Sequence, residues 1–391
     1  METQVGIVGA GPAGLLLGEL LRARGVDSVV LEARSRTYVE QRVRAGVLEQ
    51  GTVDALRGCG AADRLDREGL VHEGVELRFG RRGHRIDFAD LTGGKTITLY
   101  GQQEVVKDLI AARLAAGAEL LFEVDDVVLH GFDSDRPRIT FRHDGAEEEL
   151  RCRVIAGCDG FHGVSRPSIP DGVLSVRERA YPYAWLGILA EVAPSSDELI
   201  YTHHERGFAL ASMRSPTLTR LYIQVAHDED IEQWSDDRVW AELHRRLETE
   251  DGFELAEGPV VEKVIAPMRS FVAAPMRCGR LLLAGDAAHI VPATGAKGLN
   301  TAVGDVIVLA RALAAFFADG DERGLDGYSD ACLRRIWRVQ RFSNWMTSML
   351  HRPPDGDPFA IALQLAELDY VCRSRAASTT LAENYVGLDL D

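Results

Sequence analysis

The chain has 391 residues, more than one ordinary core of ~100–150 residues accommodates, so two interleaved domains with room for a large cofactor are expected. Its 46% hydrophobic and 27% charged composition, with 38 Gly and 14 Pro, excludes disordered, collagen-like and low-complexity classes. The 60 Asp plus Glu against 44 Lys plus Arg give a formal charge of −16, the wrong sign for a nucleic-acid or anionic-membrane partner; a small anionic substrate would need a local cluster of Arg and Lys.

Gln4 to Val8 reads as a short buried strand, and Gly9, Gly11 and Gly14 then form G-x-G-x-x-G at the mouth of a helix, Pro12 to Ala23, which Gly25 ends. Asp27 to Leu31 is a second apolar strand finishing on Glu32, an acid placed to take ribose hydroxyls. The first Gly permits the turn, the second lets backbone approach a pyrophosphate, and the third lets helix and strand pack closely, so a dinucleotide is expected here. Two further strands, Val154 to Ala156 and Arg280 to Ala284, end on Asp159-Gly160 and Gly285-Asp286, where carboxylates can reach a bound polyol.

Phe208 to Arg214 and Arg220 to Ala226 read as a hairpin joined by Ser215 to Thr219, with Ser212 and Arg214 on one face of the first strand and Arg220 and Tyr222 on one face of the second. Two guanidiniums and two hydroxyls could thus converge on a carboxylate, unless the hairpin is an exposed edge with solvated charges. A helix is predicted from near Asn300, carrying Val303, Val306, Ile307 and Ala310 at helical spacing, with Asn300 read as its cap. The longest apolar run, Val306 to Phe317, is broken by Arg311, so no membrane helix is expected. Trp337, Phe342, Trp345, Met346 and Met349 also recur at helical spacing and mark core or a homodimer face. The six cysteines show no C-x-x-C pair and no His at zinc spacing, which predicts free thiols in a reducing cytoplasm and no metal site.

The G-x-G-x-x-G with Glu32, Asp159-Gly160, and Gly285-Asp286 followed by Pro292, Gly295, Gly298 and Asn300 resemble the group A flavoprotein aromatic hydroxylases. The stretches Arg42 to Gly51, Val71 to Val75, Pro292 to Asn300 and Glu383 to Leu388 extend the resemblance over essentially the whole chain, and Ala293, Met213, Gly163 and Ser165 depart from it. It implies an α/β fold: a Rossmann-like FAD-binding domain with C-terminal helices (1–71, 98–180 and 270–391) and an inserted mixed β-sheet substrate domain (72–97 and 181–269). It also implies FAD as cofactor, NADH or NADPH as co-substrate, O2, and hydroxylation of 4-hydroxybenzoate at C3 through a flavin C4a-hydroperoxide, in a homodimer. The same chemistry on 4-aminobenzoate stays open.

By this resemblance FAD is held by Gly9, Gly11, Ala13, Gly14 and Glu32, by Arg42, Arg44, Gly46, Val47 and Gln102, and by Asp159, Arg220, Asp286, Leu299 and Asn300. Substrate is held by Tyr201, Ser212, Met213, Arg214 and Tyr222 with Ala293 and Thr294. Tyr201, Tyr385 and His72 form a proton relay from the substrate phenol to solvent, and Lys297 and Asn300 assist the flavin chemistry. No second G-x-G-x-x-G follows a strand, so nicotinamide takes a shallow groove, which the resemblance places at Arg34, Tyr38, Arg44, His162 and Arg269. By the same resemblance Ala33 stands where NADPH-preferring relatives carry a cation, while Arg34 and Arg36 could still meet a 2′-phosphate. The missing cation tilts the expectation to NADH; a kcat/KM ratio favouring NADPH by about tenfold, ~1.4 kcal/mol in the transition state, would show that the two arginines suffice.

Overall fold

The computed structural model describes residues 1–42 and 46–388, so Arg44, expected at both the pyrophosphate and the nicotinamide, lies outside the described residues. Val5–Val8, buried at all four positions, pairs in parallel with Ser28–Leu31 on one side and Val154–Gly157 on the other. Leu281–Leu283 and Leu120–Leu121 extend this parallel sheet, and antiparallel Arg277–Cys278 closes one edge. Near-continuous apolar strands suit a sheet covered on both faces. The helix Pro12–Arg22 starts directly after Gly11 with Pro in its first turn, where the missing N–H costs nothing. It packs against Gly298–Asp319 and Gln102–Ala115. A Cβ on Gly14 would lie 2.0 Å from the Gly9 carbonyl oxygen, so this helix can approach its strand only with glycine there.

An eight-stranded sheet forms the second layer, in the order His289–Ile290, Val260–Ala274, Ser175–Ala190, Leu218–Ala226, Ala209–Ser215, Leu199–Thr202, Gly74–Phe79, Arg82–Asp87. All its pairs are antiparallel except Leu199–Thr202 with Gly74–Phe79. The strands Ser175–Ala190 and Val260–Ala274 are 16 and 15 residues long. They reach outside the 181–269 span, and His289–Ile290 joins from further along the chain, so the two layers interleave along these ribbons.

The hairpin is tighter than its sequence predicts. Ser215 pairs with Leu218, leaving only Pro216 and Thr217 in the turn, and the register shifts between Met213 and Ser215. Arg214 is the extra residue of this β-bulge, a feature that re-aims side chains beside functional sites.

The C-terminal third is helical: Gly298–Asp319, Arg323–Asp326, Tyr328–Leu350, Pro358–Arg373 and Arg375–Val386. Gly298–Asp319 is, among the described residues, the one helix long and apolar enough to cross a membrane by length and composition, contrary to the broken run expected around Arg311. Most of it is buried between Pro12–Arg22 and Tyr328–Leu350, the environment of a core helix. Asn300 does not cap it: the helix begins two residues earlier, at Gly298. Phe342, Met346 and Met349 enter the core, whereas Trp337 stays 44% exposed. An apolar stripe that periodicity had not marked, Phe359, Leu363 and Tyr370 on Pro358–Arg373, faces outward. All six cysteines are free.

Candidate active site

The face of the eight-stranded sheet that meets the C-terminal helices carries Tyr201, Leu210, Met213, Trp185 and Phe208 in one apolar cluster with Tyr385. Alternation would put Met213 on the opposite face from Ser212 and Arg214; the bulge lets Met213 join this cluster. Arg214 donates from Nη1 to Ser212 Oγ at 3.2 Å and to the Met213 carbonyl at 2.9 Å, and from Nη2 to the Tyr222 hydroxyl at 3.2 Å. Its Nε is buried with no hydrogen-bond partner, and among the described residues no carboxylate lies within 4.0 Å of its guanidinium. Burial pulls the Arg214 pKa down from its usual range. Arg220, read from the sequence as a second guanidinium that could converge on a carboxylate, lies over the Tyr222 ring and is paired with Glu262 at 3.1 Å, a partner on the strand Val260–Ala274. Gly187, on the strand between, makes room for it: a Cβ there would sit 2.8 Å from an Arg220 nitrogen and 3.2 Å from the Tyr222 ring.

Tyr201 is paired with Leu210 across the neighbouring strand, two residues before Ser212. That offset, a rise of about 6.6 Å, is on the scale of a benzene ring with two para substituents. Tyr201 and Tyr385, 184 positions apart, share a hydrogen bond of 2.5 Å and are each 1% exposed. Burial raises both phenol pKa values well above the usual range, so both stay neutral. His72 does not extend this pair directly: among the described residues no hydrogen bond joins it to Tyr385, and its Nδ1 is buried without a partner. The link is one of packing, since the Glu73 carbonyl accepts from the Phe88 N–H and Phe88 stacks on Tyr385 at 5.0 Å. The other wall was not foreseen. Trp185 donates its Nε1–H to His351 Nε2 at 2.6 Å, while His351 Nδ1 bonds the Thr347 carbonyl at 3.0 Å, a pattern that requires the neutral Nδ1–H tautomer. Burial lowers the His351 pKa to about 3, and Tyr183, Phe208 and Trp185 stack around its ring.

At the start of Gly298–Asp319, Lys297 is 2% exposed and donates to Glu49 Oε1 at 2.6 Å and to the Tyr385 carbonyl at 2.8 Å. Desolvation lowers its pKa and Glu49 opposes that shift. Glu49 had no assigned role; its signal in the sequence is an acid closing the apolar strand Val47–Glu49. Asn300 is committed at every valence of its amide. Oδ1 accepts from the Glu49 N–H at 2.9 Å and the Thr52 hydroxyl at 2.8 Å, and Nδ2 donates to the carbonyls of Val47 at 2.8 Å and Ala296 at 3.1 Å. Its side chain therefore ties the helix to the Val47–Glu49 strand. Upstream, Thr294 is fully buried and hydrogen-bonded to Thr347 at 2.9 Å, while Ala293 is exposed.

The remaining positions form a cradle at the C-terminal ends of the parallel strands. Gly9, at φ +102, could carry no side chain, since its Cβ would lie 2.5 Å from the Cys158 carbonyl oxygen. Gly11 faces open space, as a backbone that receives a pyrophosphate must. Glu32 accepts the N–H groups of Ala10 at 2.7 Å and Arg34 at 2.8 Å, which fixes its carboxylate at the strand end beside them. Asp159 accepts the Ser165 N–H at 2.8 Å on one oxygen, and its other oxygen is buried with no partner among the described residues. Gly163, one of the departures from the family pattern, is required here because a Cβ would fall 2.1 Å from that carboxylate. Gly46 lies under the Tyr100 carbonyl, 2.0 Å from where its Cβ would be. Ala13 and Val47 are buried, Gln102 and Leu299 half-buried, and Arg42 and Asp286 exposed. This glycine-lined cradle with an orphaned buried carboxylate oxygen fits a dinucleotide such as FAD. Of the nicotinamide positions, His162 and Arg269 meet at Phe161, with the Arg269 guanidinium 3.7 Å above its ring. Arg34 stacks separately on Tyr38 at 5.4 Å.

The chain matches the family described as FAD binding domain over residues 2–343. It is 51% identical to the p-hydroxybenzoate hydroxylase of Acinetobacter baylyi over 388 residues, covering 99% of this chain and 96% of that one. The chain thus belongs to the FAD-binding flavoprotein aromatic hydroxylases, and FAD is its cofactor. It is also 27% identical to the 3-(3-hydroxy-phenyl)propionate/3-hydroxycinnamic acid hydroxylase of Mycobacterium sp. (strain JLS), spanning 57% of that protein's length. Among solved structures, p-nitrophenol 4-monooxygenase PnpA from Pseudomonas putida DLL-E4 shares the fold, with a TM-score of 0.85 at 22% identity over 99% of both chains.

One consequence of the burial is testable. Desolvation lowers the His72 pKa to about 4, against the nearby charges of Glu198 and Asp197. The unfolded chain protonates this ring at a higher pH, so its contribution is complete above about pH 6.5 and is lost as pH falls toward 4. Urea-unfolding free energies at pH 7, 6 and 5 should fall more steeply for the parent than for His72→Asn, by about half of 1.4 kcal/mol between pH 7 and 6 and approaching 1.4 kcal/mol between pH 6 and 5; parallel curves would mean the ring is solvated.

Proposed function

We propose that this protein is an FAD-dependent monooxygenase that hydroxylates 4-hydroxybenzoate at C3 to 3,4-dihydroxybenzoate, consuming O2 and one NAD(P)H and releasing water. The observation that carries the reading is Arg214, a half-buried guanidinium with an enclosed Nε, held by two hydroxyls and met by no carboxylate among the described residues. A buried cation left unpaired is costly, and a benzoate carboxylate supplies the planar acceptor that its fork matches. The 51% identity to a p-hydroxybenzoate hydroxylase supports the same substrate.

With the carboxylate on Arg214, Ser212 and Tyr222, the para hydroxyl points along the sheet toward Tyr201. Oxygen transfer to a ring is electrophilic, so the ring is activated by removing the phenol proton inside a site closed to water. Tyr201 accepts that proton's hydrogen bond and hands it through its 2.5 Å bond to Tyr385. A neutral pair suits this task, because each hydroxyl can donate and accept in turn. His72 receives the proton last, through water or a small displacement, since among the described residues no direct bond joins it to Tyr385. Bound FAD supplies electron transfer from NAD(P)H and oxygen transfer to the ring. Gly9, Gly11, Gly14, Glu32, Asp159 and Asp286 would hold it, and the Glu49-paired Lys297 with the start of Gly298–Asp319 would favour negative charge on it. His162 and Arg269 receive the nicotinamide nucleotide. We also assign a homodimer, with the exposed stripe Phe359, Leu363 and Tyr370 as its face, and a reducing cytoplasmic setting that suits the six free thiols.

The direct test is to add 4-hydroxybenzoate to FAD-loaded protein and follow NAD(P)H oxidation, O2 uptake and 3,4-dihydroxybenzoate together; oxidation without the catechol product sinks the substrate assignment. Arg214→Lys keeps the charge but loses the fork, so 4-hydroxybenzoate binding should weaken by ~1.5–3 kcal/mol with FAD content unchanged. An unaltered dissociation constant removes Arg214 from the site. Tyr201→Phe should bind substrate within ~1 kcal/mol of the parent, because the carboxylate end is intact, yet uncouple it: reduced nucleotide is spent with peroxide in place of product. Near-complete coupling at the parental rate would make Tyr201 an ordinary packed tyrosine.

A further inference from the structure

Away from the cradle and the benzoate cleft, the helices Gly298–Asp319 and Tyr328–Leu350 diverge around Arg323–Asp326 and leave a groove of about 440 Å³. Its floor is aliphatic, formed by Val308, Ala312, Ala315 and Ala331. Four arginines line it, Arg311 from one helix and Arg334, Arg335 and Arg338 from the other. Arg335 is already committed, donating to the carbonyls of Asn300 at 2.8 Å and Thr301 at 2.9 Å. Gly304 leaves it room, since a Cβ there would fall 1.8 Å from its Nη1. Arg311, Arg334 and Arg338 are exposed and have no ion pair or hydrogen bond among the described residues. Arg334 and Arg338 are one helical turn apart and present their charges together.

The two carboxylates at this groove do not neutralise it. Asp305 is 1% exposed and accepts from Gly285 N–H at 3.0 Å and pairs with His289 at 2.5 Å, and Asp321 pairs with Arg323 at 2.7 Å. Among the described residues, a chain with 60 acidic side chains has therefore left three guanidiniums unpaired around one concavity, against its own field. Inorganic anions would satisfy the rim and waste the floor. We propose that this groove is a second ligand site, for an amphiphilic carboxylate whose acid head sits on Arg311, Arg334 and Arg338 and whose apolar body lies on the aliphatic floor.

The test uses the full-length holoenzyme saturated with FAD and 4-hydroxybenzoate, which closes the two other sites, and 8-anilinonaphthalene-1-sulfonate as a fluorescent amphiphilic anion. One probe should bind per chain and be displaced by dodecanoate or 2-naphthoate, the two arms telling an acyl body from an aryl one, and not by dodecan-1-ol. Arg334→Glu/Arg338→Glu, and separately Ala315→Trp, which fills the floor, should each raise the probe's Kd at least about tenfold while hydroxylation proceeds at the parental rate. Equal displacement by the alcohol, displacement by neither acid, or an unchanged Kd in both variants overturns the proposal. So does a fall in sedimenting mass of the double variant, which would make the groove an interface between copies of the chain.

Discussion

Buried positive charge, and what stands opposite each such charge, organises this molecule. A cation taken out of water costs several kcal/mol unless a partner meets it, and removing one partner of a buried pair costs roughly 3–5 kcal/mol. Lys297 is met by Glu49, and Arg220 by Glu262. Arg214 is met by hydroxyls and a carbonyl, which accept hydrogen bonds without cancelling charge. Lys297 and Arg220, 2% and 7% exposed, are thus each paired with a carboxylate, whereas Arg214, half-buried with its Nε enclosed, meets no carboxylate among the described residues. Under the proposed function, the cation without a carboxylate is the one that selects the ligand. The chain's −16 charge sharpens the distinction, since acids are abundant and none among the described residues stands at Arg214.

The apolar side of the site is held just as firmly, but by a ring that must stay uncharged. His351 accepts from Trp185 through Nε2, which a protonated ring could not do. Stacked on Tyr183, Phe208 and Trp185, it links the Tyr328–Leu350 helix end to the sheet. Gln364 adds a second tie, donating to the carbonyls of Ser348 and His351 and bonding His203 two residues beyond Tyr201. The helix Pro358–Arg373 therefore has an inner edge wired to the strand that carries Tyr201 and an outer edge bearing Phe359, Leu363 and Tyr370.

Local chemistry was legible in the sequence wherever it was local. The G-x-G-x-x-G turn with Glu32 at the next strand's end, and the two strand-terminal Asp residues, follow from spacing and strand periodicity, and the structure builds those elements within a residue or two. The bulge was not legible, because a two-residue turn and a longer loop share the same Pro and Thr composition; only cross-strand pairing reveals that Arg214 is the surplus residue. Glu49 and His351 stayed invisible for a related reason. An acid closing a short apolar strand and a His after a helix are ordinary surface residues until a distant element is packed over them.

The tyrosine pair shows the limit most plainly. Tyr201 lies in a strand and Tyr385 in the last helix, and no periodicity couples positions 184 apart. What brings them together is the docking of Arg375–Val386 against Phe88–Thr92, where Phe88 stacks on Tyr385 and Leu381 and Ala382 are fully buried. The same docking sets the Tyr385 carbonyl on Lys297 Nζ. One helix thus presents a hydroxyl to the substrate strand and a carbonyl to the buried ammonium at the foot of Gly298–Asp319. Under the proposed function, phenol-side proton traffic and cofactor-side charge therefore share a single residue, and a shift of that helix would alter both at once. In a reaction that wastes reduced nucleotide unless ring activation and oxygen transfer coincide, tying the two to one rigid element is a physical way to keep them in step.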